Sequence, residues 1–395
     1  MTTAIIITVC LLLLLAYVFD LTSSKTKVPS VILLLLLGFG MRQLSEFIGI
    51  KIPDLTSLLP ILGTIGLILI VLEGSLELEL NKSKATLIKK SFFVALLPML
   101  TLAFLLSFLF QYFGHYSFKQ SLTNAIPLCV ISSAIAIPSV KSLNSFNKEF
   151  VIYESSLSDI LGVLFFNFIA LNSSFGLSSF GYFGLEIVII SIISFVATIG
   201  LAFLLNKIDH PIKFAPIILL IILIYEISKV YNLPGLIFIM LFGLFLGNLD
   251  ELKHFKWIEQ FNPAGLNKEV KKFKELTTEA TFLIRALFFL LFGYLIKITE
   301  ILNTKTLVWS IGIVAAIIIL RAAILKISKL PLMPLLFIAP RGLITILLFL
   351  SIDPFQNIPL VNKSLIIQVI VLGALVMMLG LMINKKEPIE LLKKE

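Results

Sequence analysis

Glu154-Ser-Ser-Leu-Ser-Asp159 runs straight into Ile160-Leu-Gly-Val-Leu-Phe-Phe166, so two carboxylates stand inside an apolar stretch expected to cross a membrane. An ionisable side chain at bilayer depth costs at least about 2.5–3.5 kcal/mol on insertion scales, and such residues persist to bind ions, carry protons or pair with another charge. Glu73 is a further carboxylate in apolar surroundings, and Arg285, Arg321 and Arg341 are cations in others. So many charges within apolar segments are the chemistry of ion movement.

On a helix, residues four apart share a face, which sets Ser155 over Asp159 and Glu154 over Ser158. Asp159 has no opposite charge within one turn. Desolvation disfavours its anion, so either a proton or a monovalent cation must accompany it, and one can replace the other. The competing reading is a permanently protonated Asp bonded to a neighbouring helix. Glu154 is expected to face an arginine, with Arg321 the first choice and Arg341 the second. A buried pair of that kind is architecture, because losing one partner is costly even where the pair itself adds little. Glu73, near the end of its segment, either helps to fix the ion through water or reaches the interface with Glu77 and Glu79. Arg285, in Thr281-Phe-Leu-Ile-Arg285, either pairs helices or steers access. Glu226, beside Lys229, reads as interfacial. His115, His210 and His254 fall in loops with no ligand spacing, and Cys10 and Cys129 form neither a disulfide framework nor a metal cluster. No cofactor is implied beyond the transported ions.

The elements that must position these groups are helices in lipid. The chain is 58% hydrophobic and 14% charged, with a mean hydropathy of +1.06, which excludes an ordinary soluble domain. Thirteen apolar runs are each long enough to approach the ~30 Å hydrocarbon layer: roughly 4–19, 28–47, 56–78, 87–112, 122–145, 149–172, 182–206, 211–231, 233–249, 277–300, 306–328, 331–352 and 363–384. The first lacks a basic region before it and a small-residue cleavage site after it, and is expected to be a retained helix. The net charge of +9 does not point to nucleic acid, because its distribution is topological. Alternate loops beginning with Lys25 and Lys27, together with the C-terminus, hold 22 of the 32 Lys and Arg, and the other loops hold 7. By the positive-inside rule the N-terminus is expected outside and the C-terminus in the cytoplasm of a cell membrane. The longest cytoplasmic loop, 250–277, is lysine-rich and is expected to lie near anionic lipid.

The chain repeats itself. Val28-Pro29-Ser30 with Gly38 has the spacing of Leu233-Pro234-Gly235 with Gly243, and Glu73-Gly74-Ser-Leu matches Phe292-Gly293-Tyr-Leu in outline. Segments 5 and 12 each carry a mid-span proline, Pro138 and Pro340. Seven segments separate the partners, so the halves have opposite orientation: 1–206, with segment 7 as a link, and 207–395, with no separate soluble domain. Inverted repeats with interrupted helices are the pattern of secondary transporters, whose sites form where the breaks meet. Ser132-Ser133-Ala-Ile-Ala-Ile-Pro138 is expected to unwind at mid-span, with carbonyls and hydroxyls, Ser133 among them, coordinating a cation. Small-residue helix packing is the alternative. Arg341, in Ala339-Pro340-Arg341-Gly342, would balance helix-end dipoles and carboxylates at that crossover.

At these residues the chain resembles the monovalent cation:proton antiporter superfamily, nearer its sodium/proton exchanger branch. Glu154 to Asp159 resembles that branch's Glu-x-x-x-Asn-Asp, and Leu72-Glu73-Gly74-Ser75-Leu76-Glu77 is similar to its Phe-Glu-Gly-Gly-Leu-Glu. Arg321 matches the arginine that pairs with the motif glutamate, and Pro340-Arg341-Gly342 matches the Leu-Arg-Gly of the twelfth helix. The resemblance implies a homodimer in membrane lipid. Segments 1–3 and 8–10 would form a rigid dimer domain, beside a six-helix core that shuttles the ion in an elevator-like movement. Two departures bear on selectivity. Ser158 stands where the branch has Asn, and the fifth helix has no acid in place of Thr-Asp-Pro, closer to the Ser-Ser-Thr of potassium-efflux relatives. No nucleotide-binding regulatory domain is expected after the last segment.

The expectation is an all-α membrane antiporter serving pH homeostasis. It would exchange Na⁺ for H⁺ one for one without net charge, with K⁺/H⁺ antiport or K⁺ efflux as the alternative. A channel would need a continuous polar pore lining or a filter loop, and an intramembrane enzyme a Ser/His pairing or His-Glu-x-x-His; neither pattern is found. A receptor would need a soluble domain.

Overall fold

The computed structural model describes residues 2–26, 28–49, 54–78, 82–140, 143–171, 177–208, 210, 212–231, 233–249 and 263–383. Helices α1 (Thr2–Thr26), α2 (Ser30–Ile48), α3 (Leu58–Glu77) and α4 (Ala85–Gly114) come first. The next segment is interrupted, with α5 (Phe118–Ala125) and a 3-10 turn at Ile126–Leu128 on one side and α6 (Ser133–Ser139) on the other. Then follow α7 (Ser145–Leu171), α8 (Leu177–Lys207), α9 (Phe214–Val230), α10 (Leu236–Gly247) and α11 (Pro263–Leu295). A short α12 (Ile298–Ile301) leads into α13 (Thr304–Ile327). The second interrupted segment has a 3-10 turn at Leu335–Phe337, extended chain over 338–342 and α14 (Leu343–Leu350), before the last helix, α15 (Lys363–Ile383).

Each of the thirteen apolar runs lies on a helix or an interrupted helix pair, and among the described residues ten stretches are long and apolar enough to cross a membrane. Hydrocarbon offers no partner for a peptide group, so these runs bond internally as helices. Several of their hydroxyls do likewise, Ser75 donating to the Val71 carbonyl and Thr281 to that of Thr277, each four residues back. In the most apolar window of 118–139, 94% of the residues are buried, against 11% in that of α1, which places the interrupted segment at the centre and α1 at the periphery.

One boundary differs from expectation. Hydropathy starts the tenth segment at 277, whereas α11 already begins at Pro263. Leu266, Val270, Phe273 and Thr277 form a buried stripe at helical spacing beneath the lysines, so the second half of the expected loop is an amphipathic helix. Residues 250–262, with His254, and Glu79 lie outside the described residues.

The packing pairs are related across the halves. α2 packs on α11 and α10 on α3, while α4 packs on α7 and α13 on α15. Each pair carries into the other by the seven-segment offset. Glycines set the closest approaches: a side chain at Gly38 would meet the Leu290 carbonyl and the Tyr294 N–H of α11, and one at Gly243 would meet Ser75 and the Leu72 carbonyl of α3. The glycines matched in the sequence thus bring matched helices backbone to backbone.

α7 is fixed to α13 by Glu154 and Arg321, whose side chains are 1% and 2% exposed. Arg321 Nη1 and Nη2 donate to Glu154 Oε1 and Oε2 at 2.5 and 2.8 Å, and Nε donates to the Leu335 carbonyl at 2.7 Å. One planar cation therefore joins α7, α13 and the second interrupted segment. Glu154→Gln strands that cation and should cost about 3–5 kcal/mol, read as a lower melting temperature in detergent, and Glu154→Gln/Arg321→Gln should recover part of the loss. Equal shifts for the single and double variants would remove the pair from the architecture.

Candidate functional site

The two interrupted segments cross, and the crossing is tied at the backbone. The Ser132 N–H donates to the Pro340 carbonyl at 2.9 Å. Arg341 Nε and Nη2 donate to the Leu128 and Cys129 carbonyls at 2.9 and 3.1 Å, and Nη1 to that of Ala339 at 2.6 Å. The bonds the structure gives Arg341 all end on carbonyls at the broken helix ends, where the helix dipole leaves partial negative charge. Gly342 admits the crossing, since a Cβ there would lie 2.7 Å from Ile135 and 2.9 Å from the Ser132 hydroxyl.

The first break lies at 129–132 and not at Pro138, which sits near the end of α6. The N–H groups of Ile131, Ser132 and Ser133 have tertiary partners, so no proline is needed to free them. Ile131 N–H donates to Ser158 Oγ at 2.9 Å, Ser132 N–H to Pro340 and Ser133 N–H to Asp159 Oδ2 at 3.3 Å. Pro138 instead lines a cavity beside the break. Pro340 does lie in the extended chain of the second break.

Asp159 is 1% exposed. Its Oδ2 accepts from both the N–H and the hydroxyl of Ser133, and its Oδ1 has no hydrogen-bond partner among the described residues. Ser155, one turn away on the same face, donates its proton to the Val151 carbonyl at 2.7 Å, which leaves its oxygen lone pairs free to accept. Glu154 points to Arg321, away from this group. Among the described residues no cluster of three or more His, Cys, Asp or Glu suits a tightly held metal. What the arrangement can hold is one singly charged ion or one proton.

Glu73 lines a cavity of about 550 Å³ that reaches Ser133. Arg285, grouped in the sequence with the crossover, is not at the crossing: it lines this cavity and lies 3.7 Å from Asp20 of α1. Asp20, Lys148 and Glu279 also line it and were missed as site residues. Asp20 ends an apolar run and Lys148 and Glu279 stand in polar stretches, so local sequence reads all three as interfacial. Glu226, His115 and His210 are exposed, Cys10 is exposed and Cys129 is buried.

With this geometry, two comparisons are informative. The family model for the transmembrane domain of sodium/hydrogen exchangers matches residues 10–385. The fold is similar to two structures of the sodium proton antiporter MjNhaP1 from Methanocaldococcus jannaschii. The one at pH 8 has 20% identity and a TM-score of 0.65 and covers 96% of each chain. The other, an electron-microscopy map, has 19% identity and a TM-score of 0.65 and covers 97% of this chain and 95% of that one. A comparison with curated protein sequences finds no match. A match over nearly the whole length, on a helical fold built around a buried acid at a helix crossing, assigns the chain: it belongs to the sodium/hydrogen exchanger family, as a multi-pass membrane antiporter of monovalent cations and protons and not an enzyme.

Proposed function

We propose that Asp159 carries sodium and protons alternately, one for one, across a cell membrane and so serves pH homeostasis. The observation that carries this reading is the state of its carboxylate. One oxygen is held by Ser133, which lines the cavity, and the other has no hydrogen-bond partner among the described residues, with Ser155 one turn away on the same face of α7. A dehydrated sodium ion needs several oxygen ligands, and Asp159, Ser155 and Ser133 supply three, with Glu73 near enough to the route to contribute through water. A proton on Asp159 satisfies the same carboxylate without them. No resident cofactor takes part.

The exposed ends of Glu77, Lys148 and Glu279 at the cavity favour a cytoplasm-facing form, given the lysine-rich loops on that side. Alternating access would move α4–α7 and α13–α15 against α1–α3 and α9–α11, with α8 as the link, in an elevator-like step, in a homodimer held in lipid with the N-terminus outside and the C-terminus inside. Potassium as the cation is the second reading. It is favoured by the crossover stretch itself, Ser132-Ser133 with no acid.

Asp159→Asn should fold and reach the membrane, yet show no cation-driven proton flux in vesicles with a pH-sensitive dye. Flux at the wild-type level would remove Asp159 from the role. With Ser158 beside it there is one carrier, so currents on a supported membrane should be transient and small. A steady current set by the clamped potential would require a second carrier, with Glu73 the first to test.

Competition fixes the pH behaviour. Lower pH loads Asp159 with protons and raises the apparent KM for the cation, and higher pH starves the returning carrier. The rate should therefore trace a bell from one group, with no acid–base pair required. More cation needs more protons to compete with it, so the optimum should move to lower pH as sodium rises. Initial rates across pH at several sodium and potassium concentrations would show this, and an optimum fixed at every level would place pH sensing elsewhere.

A further inference from the structure

The cavity beside Asp159 carries six charged side chains: Asp20 from α1, Glu73 and Glu77 from α3, Lys148 from α7, and Glu279 and Arg285 from α11. Their depths follow from contacts between the helices. Lys274 of α11 stands by Glu77 of α3 at 3.9 Å, and Thr281 Oγ1 reaches the Leu69 carbonyl at 3.4 Å, so the two helices run antiparallel. Arg285, one turn beyond Thr281, lies at the end of the cavity away from Glu77. Ser156 of α7 meets Gly74 of α3, where a Cβ would be 2.9 Å from the Ser156 hydroxyl. Leu78, just past α3, packs on Ile152 and Tyr153 of α7, so these helices also run antiparallel. Asp159, nearly a turn beyond Ser156, is therefore level with about Ile70, towards the same inner end. Lys148 lies in the first turn of α7, at the other end. Among the described charges of the cavity, Arg285 is thus the cation at the inner end, the end towards which Asp159 also lies.

We infer that Arg285 is an affinity-setting residue: a fixed positive charge that weakens the hold of the site on both of its cationic occupants and so speeds their release. Asp20 positions it. Asp20 Oδ1 lies 3.7 Å from Arg285 Nη2 and 3.4 Å from the Ser30 hydroxyl that donates to it, which keeps the guanidinium on the α1 side of the cavity. A partly wet cavity transmits a single charge over such distances less than dry protein would, yet far more than bulk water. The opposing carboxylates attract cations to the cavity, and Arg285 keeps that attraction from becoming retention.

The inference rests on the assignment of Asp159 as carrier, and one series in proteoliposomes separates the two. Arg285→Gln should lower the apparent KM for sodium by roughly threefold or more and lower the maximal rate, because release slows. At sodium well below KM the optimum should move up by about half a pH unit or more, since the proton is held more tightly. At saturating sodium the shift should vanish, because cation and proton gain alike. Asp20→Asn removes a negative charge and should act in the opposite direction, raising KM and moving the low-sodium optimum down. Arg285→Lys should stay near the wild type. An Arg285→Gln protein with a lower melting temperature but an unmoved KM and optimum would overturn the inference and leave Arg285 a helix tie. Asp20→Asn and Arg285→Gln shifting in the same direction would overturn it too. Antiport surviving in Asp159→Asn would instead overturn the carrier assignment.

Discussion

A helix broken inside hydrocarbon exposes peptide groups that lipid cannot bond, each unsatisfied group costing several kcal/mol. The organisation of the site follows from how those groups are met. The N–H groups of Ile131, Ser132 and Ser133 go to Ser158, the Pro340 carbonyl and Asp159, while the carbonyls of Leu128, Cys129 and Ala339 go to Arg341. Each segment supplies part of what the other lacks, so neither break is stable without the crossing. Asp159 is itself one of these partners. On the proposed reading, binding a cation there would act directly on the N-terminal end of α6, through the same carboxylate oxygen that Ser133 holds.

The rest of the core keeps this arrangement from relaxing. α7 carries Glu154 and Ser158 on one face and Asp159 on the next: Glu154 is locked to Arg321, which also donates to the Leu335 carbonyl, and Ser158 and Asp159 hold the first break. A rotation of α7 that improved one contact would lose the others. Gly162 continues the logic one turn on, since a side chain there would run into Val130 of the unwound stretch. The contact with α3 is different in kind. Gly74 faces the Ser156 hydroxyl, which has no hydrogen-bond partner among the described residues, so α3 and α7 meet there over small groups without a directional tie. Such a surface is what the proposed elevator-like step would need between its two bodies.

The apolar segments are legible in the sequence because crossing hydrocarbon fixes both length and composition, and a segment that meets this constraint betrays itself locally. The requirement for a cation near Glu154 is legible for the same reason, since a lone buried carboxylate is costly. The choice of Arg321 over Arg341 lies in the packing of α7 on neighbours far along the chain. The position of the first break is not legible. Pro138 is a local signal of helix weakness, but the chain unwinds at 129–132, where partners from α7 and from the second break replace the helical bonds. The helical start of α11 at Pro263 was hidden because hydropathy averages over a turn, whereas Leu266, Val270 and Phe273 signal by period. Asp20 was missed because an acid closing an apolar run looks interfacial until Arg285 is brought to it from 265 residues away.

On the proposed reading a single carboxylate is enough, and Ser158 accounts for it. The residue beside Asp159 accepts the Ile131 N–H, and a hydroxyl does this without adding charge. A carboxylate in its place would accept the same bond but bring a second ionisable group into the site, and the loaded forms would then differ in charge. With Ser158, Asp159 bearing a proton and Asp159 bearing a monovalent cation are both neutral. The fixed charges around it do not change between the two: Glu154 and Arg321 cancel, and Arg341 is spread over three carbonyls. On the proposed reading the moving core thus presents the same electrostatic cost to the low-dielectric layer whichever ion it carries. Equal cost in both directions is what lets one group run an exchange, because neither loaded form is trapped on one side by its charge.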